Sequence, residues 1–263
     1  MTYCVGMMLD CGLVLMSDTR TNSGVDNISV FRKMFHWSIP GERVVALMTA
    51  GNLATTQAVV SQLEERSKAP EDRQNSLFEL PTMFRIAGEI GRILRDTVRE
   101  TQAENGQTGT GRFAASMILA GQIKGQEPRL FMLYPEGNFI EASWDTPFFQ
   151  IGETKYGRPI LVRAYDRQMS FEEAIKLLMV SFDSTLQANL SVGLPLDLLV
   201  IGRDECVPRH PQRIDQGDPY FDALSSAWSE ALRSAFHSLP RFPFSDSLDE
   251  KPDFQALRNP NTH

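Results

Sequence analysis

A threonine stands directly behind the initiator methionine, as Thr2. Methionine aminopeptidase removes Met1 when the next residue is small. That would leave a hydroxyl and a free α-amine on one residue. The amine's ordinary pKa is about 7.7–8.0, so near neutral pH it can take the hydroxyl proton, directly or through a water. This is the terminal-threonine form of nucleophilic catalysis. Many chains begin Met-Thr and do no such chemistry, so the reading depends on what the fold brings to Thr2.

Three further residues have types and spacings suited to assist it. Asp18 closes the run LVLMSD. Alone it reads as a solvated strand end. Lys33 stands in VFRKMFHW. It is either a surface lysine or a buried one, and a buried one needs a carboxylate, for which Asp18 is the candidate. A lysine beside the Thr2 hydroxyl would stabilise the alkoxide and depress the α-amine pKa by like-charge repulsion. Gly51, in MTAGNLATT, either makes a simple turn or presents its N–H to a substrate carbonyl as an oxyanion donor.

Positioning these four takes particular elements. Residues 3–9 and 13–17 are apolar runs around the turn Asp10-Cys11-Gly12, which predicts a hairpin. A hairpin returns the end of its second strand beside the start of its first, so Asp18 falls near Thr2, to within a residue or two of register. Residues 19–28 read as a polar loop. Residues 30–37 and 43–49 read as strands, with Lys33 sharing a face with Phe31 and Phe35. Helical spacing follows over 53–68, with Val59, Val60 and Leu63 on one face, then over 77–101, with Pro81 in the first turn and Phe84, Ile90 and Leu94 buried.

The segment 105–111, NGQTGTG, lacks the Lys-Ser/Thr of a phosphate loop and reads as a plain loop. Strands are expected at 113–123, 129–134, 139–143 and 148–152, and a helix at 158–164. Another helix runs from a Ser170–Glu173 capping box to residue 187. A strand at 196–201 and a helix at 220–239 complete the series, and the tail from Pro240 reads as irregular. Phe221, Leu224, Trp228, Leu232 and Phe236 make a stripe on the last helix that packs on its own domain or on a neighbouring subunit. Truncation after Arg213 would separate the two.

Blocks of strands alternate with blocks of helices, which favours two antiparallel sheets face to face with helix layers outside. The organisation expected is one domain over 2–213, then a C-terminal helix and tail over 214–263. Composition is that of a globular chain, 42% hydrophobic and 22% charged, with net charge −7. The acidic balance argues against nucleic-acid binding. Cys4, Cys11 and Cys206 form neither a disulfide framework nor a zinc motif, and the four histidines have no ligand spacing. The opening carries neither a signal-peptide pattern nor a membrane anchor, so the expected location is cytoplasmic.

Taken together, Thr2, Asp18, Lys33 and Gly51 resemble the proteasome β-subunit family of N-terminal nucleophile (Ntn) hydrolases. The opening MTYCVGMMLDCGLVLMSDTRTNSGVDNISVFRKMF is similar to its bacterial Anbu branch. The resemblance implies an α+β fold, a four-layer αββα sandwich with a C-terminal helical extension. It implies amide hydrolysis through an acyl-enzyme on Thr2, with Asp18 and Lys33 as the charged pair and Gly51 as oxyanion donor. No metal or organic cofactor is implied. The implied partners are a peptide or amide substrate and further copies of the chain in a ring or ring-like homo-oligomer; any unfoldase is not identifiable from the sequence.

The chain departs from the family where a Ser beside a Gly-rich turn and an Asp-x-x-Ser-Gly motif normally support the threonine. It reads Gly152-Glu153-Thr154 at the first and has no Asp at the second, where Asn189 and Ser191 are the candidate substitutes. No propeptide is expected ahead of Thr2, so maturation would rest on Met1 removal. Three readings follow: a peptidase, a hydrolase of small non-peptide amides, and a non-catalytic ring scaffold. The intact Thr2, Asp18 and Lys33 set favours the first two.

Overall fold

A computed structural model describes residues 2–22, 28–68, 76–104, 111 and 113–242. Met1, most of the 105–111 loop and the tail beyond residue 242 lie outside the described residues. The expected opening hairpin is β1 (Tyr3–Leu9) and β2 (Gly12–Asp18), antiparallel with Cys4 opposite Ser17. Every residue of β2 is buried. A strand buried on both faces sits between two packed layers, and this hairpin does.

One sheet has the order β10-β1-β2-β11-β12, where β10 is Phe148–Gly152, β11 is Leu196–Gly202 and β12 is Pro208–Ile214. The other is β5-β6-β7-β8-β9: Met34–Ile39, Arg43–Gly51, Ala115–Ile123, Arg129–Leu133 and Phe139–Glu141. Leu13, Leu15, Ala46, Met48, Ile118 and Leu199 meet between the sheets. Helices α1 (Leu53–Lys68) and α2 (Met83–Glu104) cover the second sheet through Val59, Leu63, Ile90 and Leu94. Helices α3 (Arg158–Ala164) and α4 (Phe171–Ala188), then α5 (Pro219–Ser238), cover the first through Leu161, Leu178, Phe182 and Phe221. The result is a four-layer αββα sandwich. No helix among the described residues is long and apolar enough to cross a membrane.

Several boundaries differ from the sequence reading. The 19–28 segment is not simply a loop: β3 (Arg20–Asn22) pairs with β4 (Ile28–Val30), and residues 23–27 lie outside the described residues. The strand expected over 30–37 is broken at 31–33, and β5 starts only at Met34. Helix α2 begins after Pro81, not before it, because proline lacks the N–H that a helix interior needs. Phe84 is 51% exposed, since Met83, Ile86, Ala87, Ile90 and Leu94 set the buried face and Phe84 stands a residue out of phase. Strand β12 was not anticipated: PRHPQRI is polar and carries two prolines, which an edge strand tolerates and a central one does not. The Ser170–Glu173 capping box is present.

Candidate active site

Thr2 is half-buried, one residue ahead of β1. Its backbone is held from two sides. The Glu153 N–H donates to the Thr2 carbonyl at 2.6 Å. The next N–H, that of Tyr3, donates to Asp18 Oδ1 at 2.9 Å. The first contact depends on Gly152, which has φ +82° and no room for a side chain. A Cβ there would lie 2.0 Å from the Thr2 carbonyl oxygen and 3.1 Å from the Thr2 Cβ. Tyr3 packs its ring on Phe182, and its hydroxyl meets Ser181 at 2.7 Å and accepts from Gln150 at 2.8 Å. Burial pushes that phenol up to about 12. The residue after Thr2 is thus fixed in the core.

Asp18 is fully buried at the end of β2, where the hairpin register brings it beside Tyr3. Its Oδ1 accepts from Lys33 Nζ at 2.8 Å. Burial pushes the Asp18 carboxyl up, and the Lys33 ammonium with the N–H groups of Tyr3 and Gly193 pulls it back. Lys33 is 5% exposed, and Nζ also donates to the Arg20 carbonyl at 2.5 Å. A buried ammonium held by a carboxylate and a carbonyl satisfies the demand that burial places on it.

The route to that geometry is not alternation along a strand. Phe31 N–H donates to Thr19 O at 2.9 Å, and Thr49 N–H donates to Lys33 O at 2.9 Å. The short pinned segment between β4 and β5 turns Lys33 inward. The shared face with Phe31 and Phe35 expected from a continuous strand does not form.

Gly51 ends β6 with φ +111°, and a Cβ there would lie 2.5 Å from the Ala114 carbonyl oxygen. Asn52 then turns the chain into α1, its Oδ1 accepting from the Thr55 N–H at 3.0 Å. Thr2, Lys33, Gly51 and Gly152 open onto one cleft of about 240 Å³. Thr21 of β3 and Leu53 at the start of α1 also line it. Asp18 is under the cleft and reaches it through Lys33.

Sequence reasoning missed how the two departures from the family pattern are joined. Glu153 is 6% exposed. Its Oε2 accepts from Asn189 Nδ2 at 3.0 Å and its Oε1 from the Lys155 N–H at 2.8 Å. Asn189 Oδ1 in turn accepts from the Ser191 N–H at 3.0 Å. The residue whose N–H holds Thr2 is therefore anchored to the end of α4. The only sequence signal was a polar break after an apolar strand and another after a long helix. Among the described residues, no group of three or more His, Cys, Asp or Glu could hold a metal ion.

Comparison with known proteins agrees with this geometry. Residues 2–201 match the family described as Proteasome, proteasome subunit. A proteasome subunit beta of Methanopyrus kandleri is 24% identical over 207 residues, which is 78% of this chain and 88% of that protein. The structure described as Anbu (ancestral beta-subunit) from Yersinia bercovieri is 43% identical with TM-score 0.86, over 92% of this chain and 100% of that one. A structure described as the helical assembly of the Anbu complex from Pseudomonas aeruginosa is 42% identical with TM-score 0.86, over 92% and 98%. The match over most of the chain, with the sandwich and its threonine-headed first strand, makes this protein a member of the proteasome subunit family, in the Anbu branch of β-subunit-type Ntn hydrolases.

Proposed function

We propose that this chain is a threonine peptidase whose nucleophile is Thr2 after removal of Met1. The observation that carries the reading is the convergence of Thr2, Lys33 and Gly51 on one cleft, with Lys33 held by the buried Asp18. In the first step the Thr2 hydroxyl attacks the scissile carbonyl carbon and its proton passes to the Thr2 α-amine. Lys33 stabilises the alkoxide as it forms. The Gly51 N–H donates to the carbonyl oxygen as negative charge develops there. Collapse of the tetrahedral species breaks the C–N bond, the protonated amine supplies the leaving group's proton, and an ester on Thr2 remains. Water, deprotonated by the same amine, then hydrolyses the ester.

We further propose that copies of this chain self-associate, as the Pseudomonas aeruginosa Anbu does in its helical assembly. A cytoplasmic location suits three free cysteines, two of them buried. The C-terminal segment beyond residue 213 is proposed as an addition to the hydrolase domain, through α5 packing on α4.

The test is intact mass spectrometry before and after exposure to an uncharged peptide epoxyketone, with Thr2→Ala and Lys33→Ala as controls. The expected result is a chain lacking Met1 that gains one adduct, lost in both variants. Retained Met1 on an unlabelled chain would overturn the mechanism, since the base would be an amide nitrogen.

A further inference from the structure

The cleft that holds Thr2 also holds a cation that no carboxylate among the described residues neutralises. Arg32 lines the same cleft as Thr2, Lys33 and Gly51. The Lys33 charge is already matched by Asp18 at 2.8 Å. Among the described residues Arg32 has neither a salt bridge nor a hydrogen-bonded carboxylate. The nearby Asp197 is engaged by Arg213, at 2.8 and 3.0 Å. Among the described residues no aspartate or glutamate lines the cleft, and its remaining walls are small or uncharged, among them Thr21, Ala50 and Thr56.

An exposed arginine is ordinarily just a solvated side chain. Arg32 differs in that its backbone is fixed on both sides. The Phe31 N–H is bound to Thr19 O, and the Lys33 carbonyl accepts from Thr49 N–H, each at 2.9 Å. Its immediate neighbour Lys33 is tied down by Asp18 and the Arg20 carbonyl. The segment that delivers Lys33 to Thr2 therefore delivers Arg32 to the space beside it. A guanidinium presents a fixed fork of donors that a carboxylate accepts in two parallel hydrogen bonds.

We propose that Arg32 selects substrates carrying an acidic side chain on the residue whose carbonyl Thr2 attacks. The inference rests on the peptidase reading above. The glutamate or aspartate carboxylate enters the cleft beside Arg32 while its own carbonyl lies between Thr2 and the Gly51 N–H. A neutral amide of the same shape loses the charge-assisted pair, and a lysine side chain meets Arg32 and Lys33 as like charges.

The experiment compares kcat/KM on four fluorogenic peptides that differ only in that residue: Glu, Gln, Leu and Lys. It uses the mature full-length protein, and Thr2 labelling by the uncharged epoxyketone is followed in parallel. The wild type is expected to favour Glu over Gln by about tenfold, as for one charge-assisted hydrogen-bonded contact. Arg32→Gln is expected to bring that ratio close to one. Arg32→Glu is expected to move the preference to Lys. A wild type whose Thr2 is labelled but which cleaves Gln or Leu as well as Glu overturns the inference and leaves the peptidase reading standing. An unchanged Glu-to-Gln ratio in Arg32→Gln overturns it as well. A chain that neither labels nor cleaves any of the four overturns both.

Discussion

Removing Lys33 would leave Asp18 as a carboxylate in the interior without its counter-ion. Burial holds the Asp18 pKa above the ordinary carboxyl value even with the lysine in place. A carboxyl raised on folding gives its full stability below the unfolded value of about 3.9 and loses it as pH rises through the folded one. Lys33→Ala removes the nearest opposing charge, so it raises the folded pKa further and deepens that loss. The penalty relative to wild type should be small in acid and grow with pH, reaching about 3–5 kcal/mol at neutrality. Urea unfolding at mildly acidic and at neutral pH measures it. The double variant Asp18→Asn/Lys33→Met should recover most of the loss, because no charge is then buried. An equal penalty at both pH values would show that the Asp18 charge is not what the lysine offsets. Asp18 was legible because a hairpin's register is local arithmetic, and Lys33 only as the cation that a buried Asp18 would need. Arg32 and the Glu153–Asn189 link were not. Their significance comes from contacts such as the one between residues 153 and 189, which no sequence period encodes.

At the scale of elements, α2 shows the same residue type acting in opposite senses. Gly88 and Gly91 stand one turn apart on that helix. Alanine favours a helix over glycine by about 1 kcal/mol, so on propensity alone both substitutions should stabilise. A Cβ at Gly88 meets nothing within 4 Å, and Gly88→Ala should gain up to that amount. A Cβ at Gly91 would lie 2.3 Å from the Gly137 carbonyl oxygen, in the turn between β8 and β9. Both sides of that contact are backbone, and Gly137 itself has φ +86°, so neither can give way easily. Separating the layers should cost about 1–3 kcal/mol, more than the propensity gain, and Gly91→Ala should melt lower than wild type. Thermal unfolding of the pair decides this, and a higher melting temperature for Gly91→Ala would mean that the β8–β9 turn is free to move. Helix α1 was readable to the residue because its apolar spacing and its Gly-Asn start both lie in sequence. The late start of α2 and the edge strand β12 were not. A proline-bearing polar segment becomes a strand only when a neighbour such as β11 offers it a partner.

Over the whole molecule, exposed apolar side chains are scattered among the described residues, and one run of them lies at the end of α5. The first half of that helix is docked: Phe221 is 4% exposed, Leu224 packs beneath it, and the Ser225 hydroxyl donates to Asp183 Oδ1 at 2.6 Å. Past Ala231 the described residues leave the helix and its C-cap uncovered, with Leu232 49%, Phe236 71% and Leu239 62% exposed. A helix anchored at one end, with exposed leucine and phenylalanine at the other, offers that end as a surface another chain could cover. The similar chain from Pseudomonas aeruginosa, described as a helical assembly, makes a second copy of this protein the occupant to test. Truncation after Arg213 would strip Phe221 from the core along with the exposed residues, so loss of assembly could follow from loss of fold. Leu232→Glu with Phe236→Glu is the sharper change, because it leaves the docked half intact and keeps good helix formers in the exposed half. Wild type should run as a multiple of the monomer mass in light scattering, and the double variant should fall to a smaller species with unchanged helical circular dichroism. Assembly undiminished in that variant would place the contact elsewhere and leave the end of α5 as a solvent-facing extension.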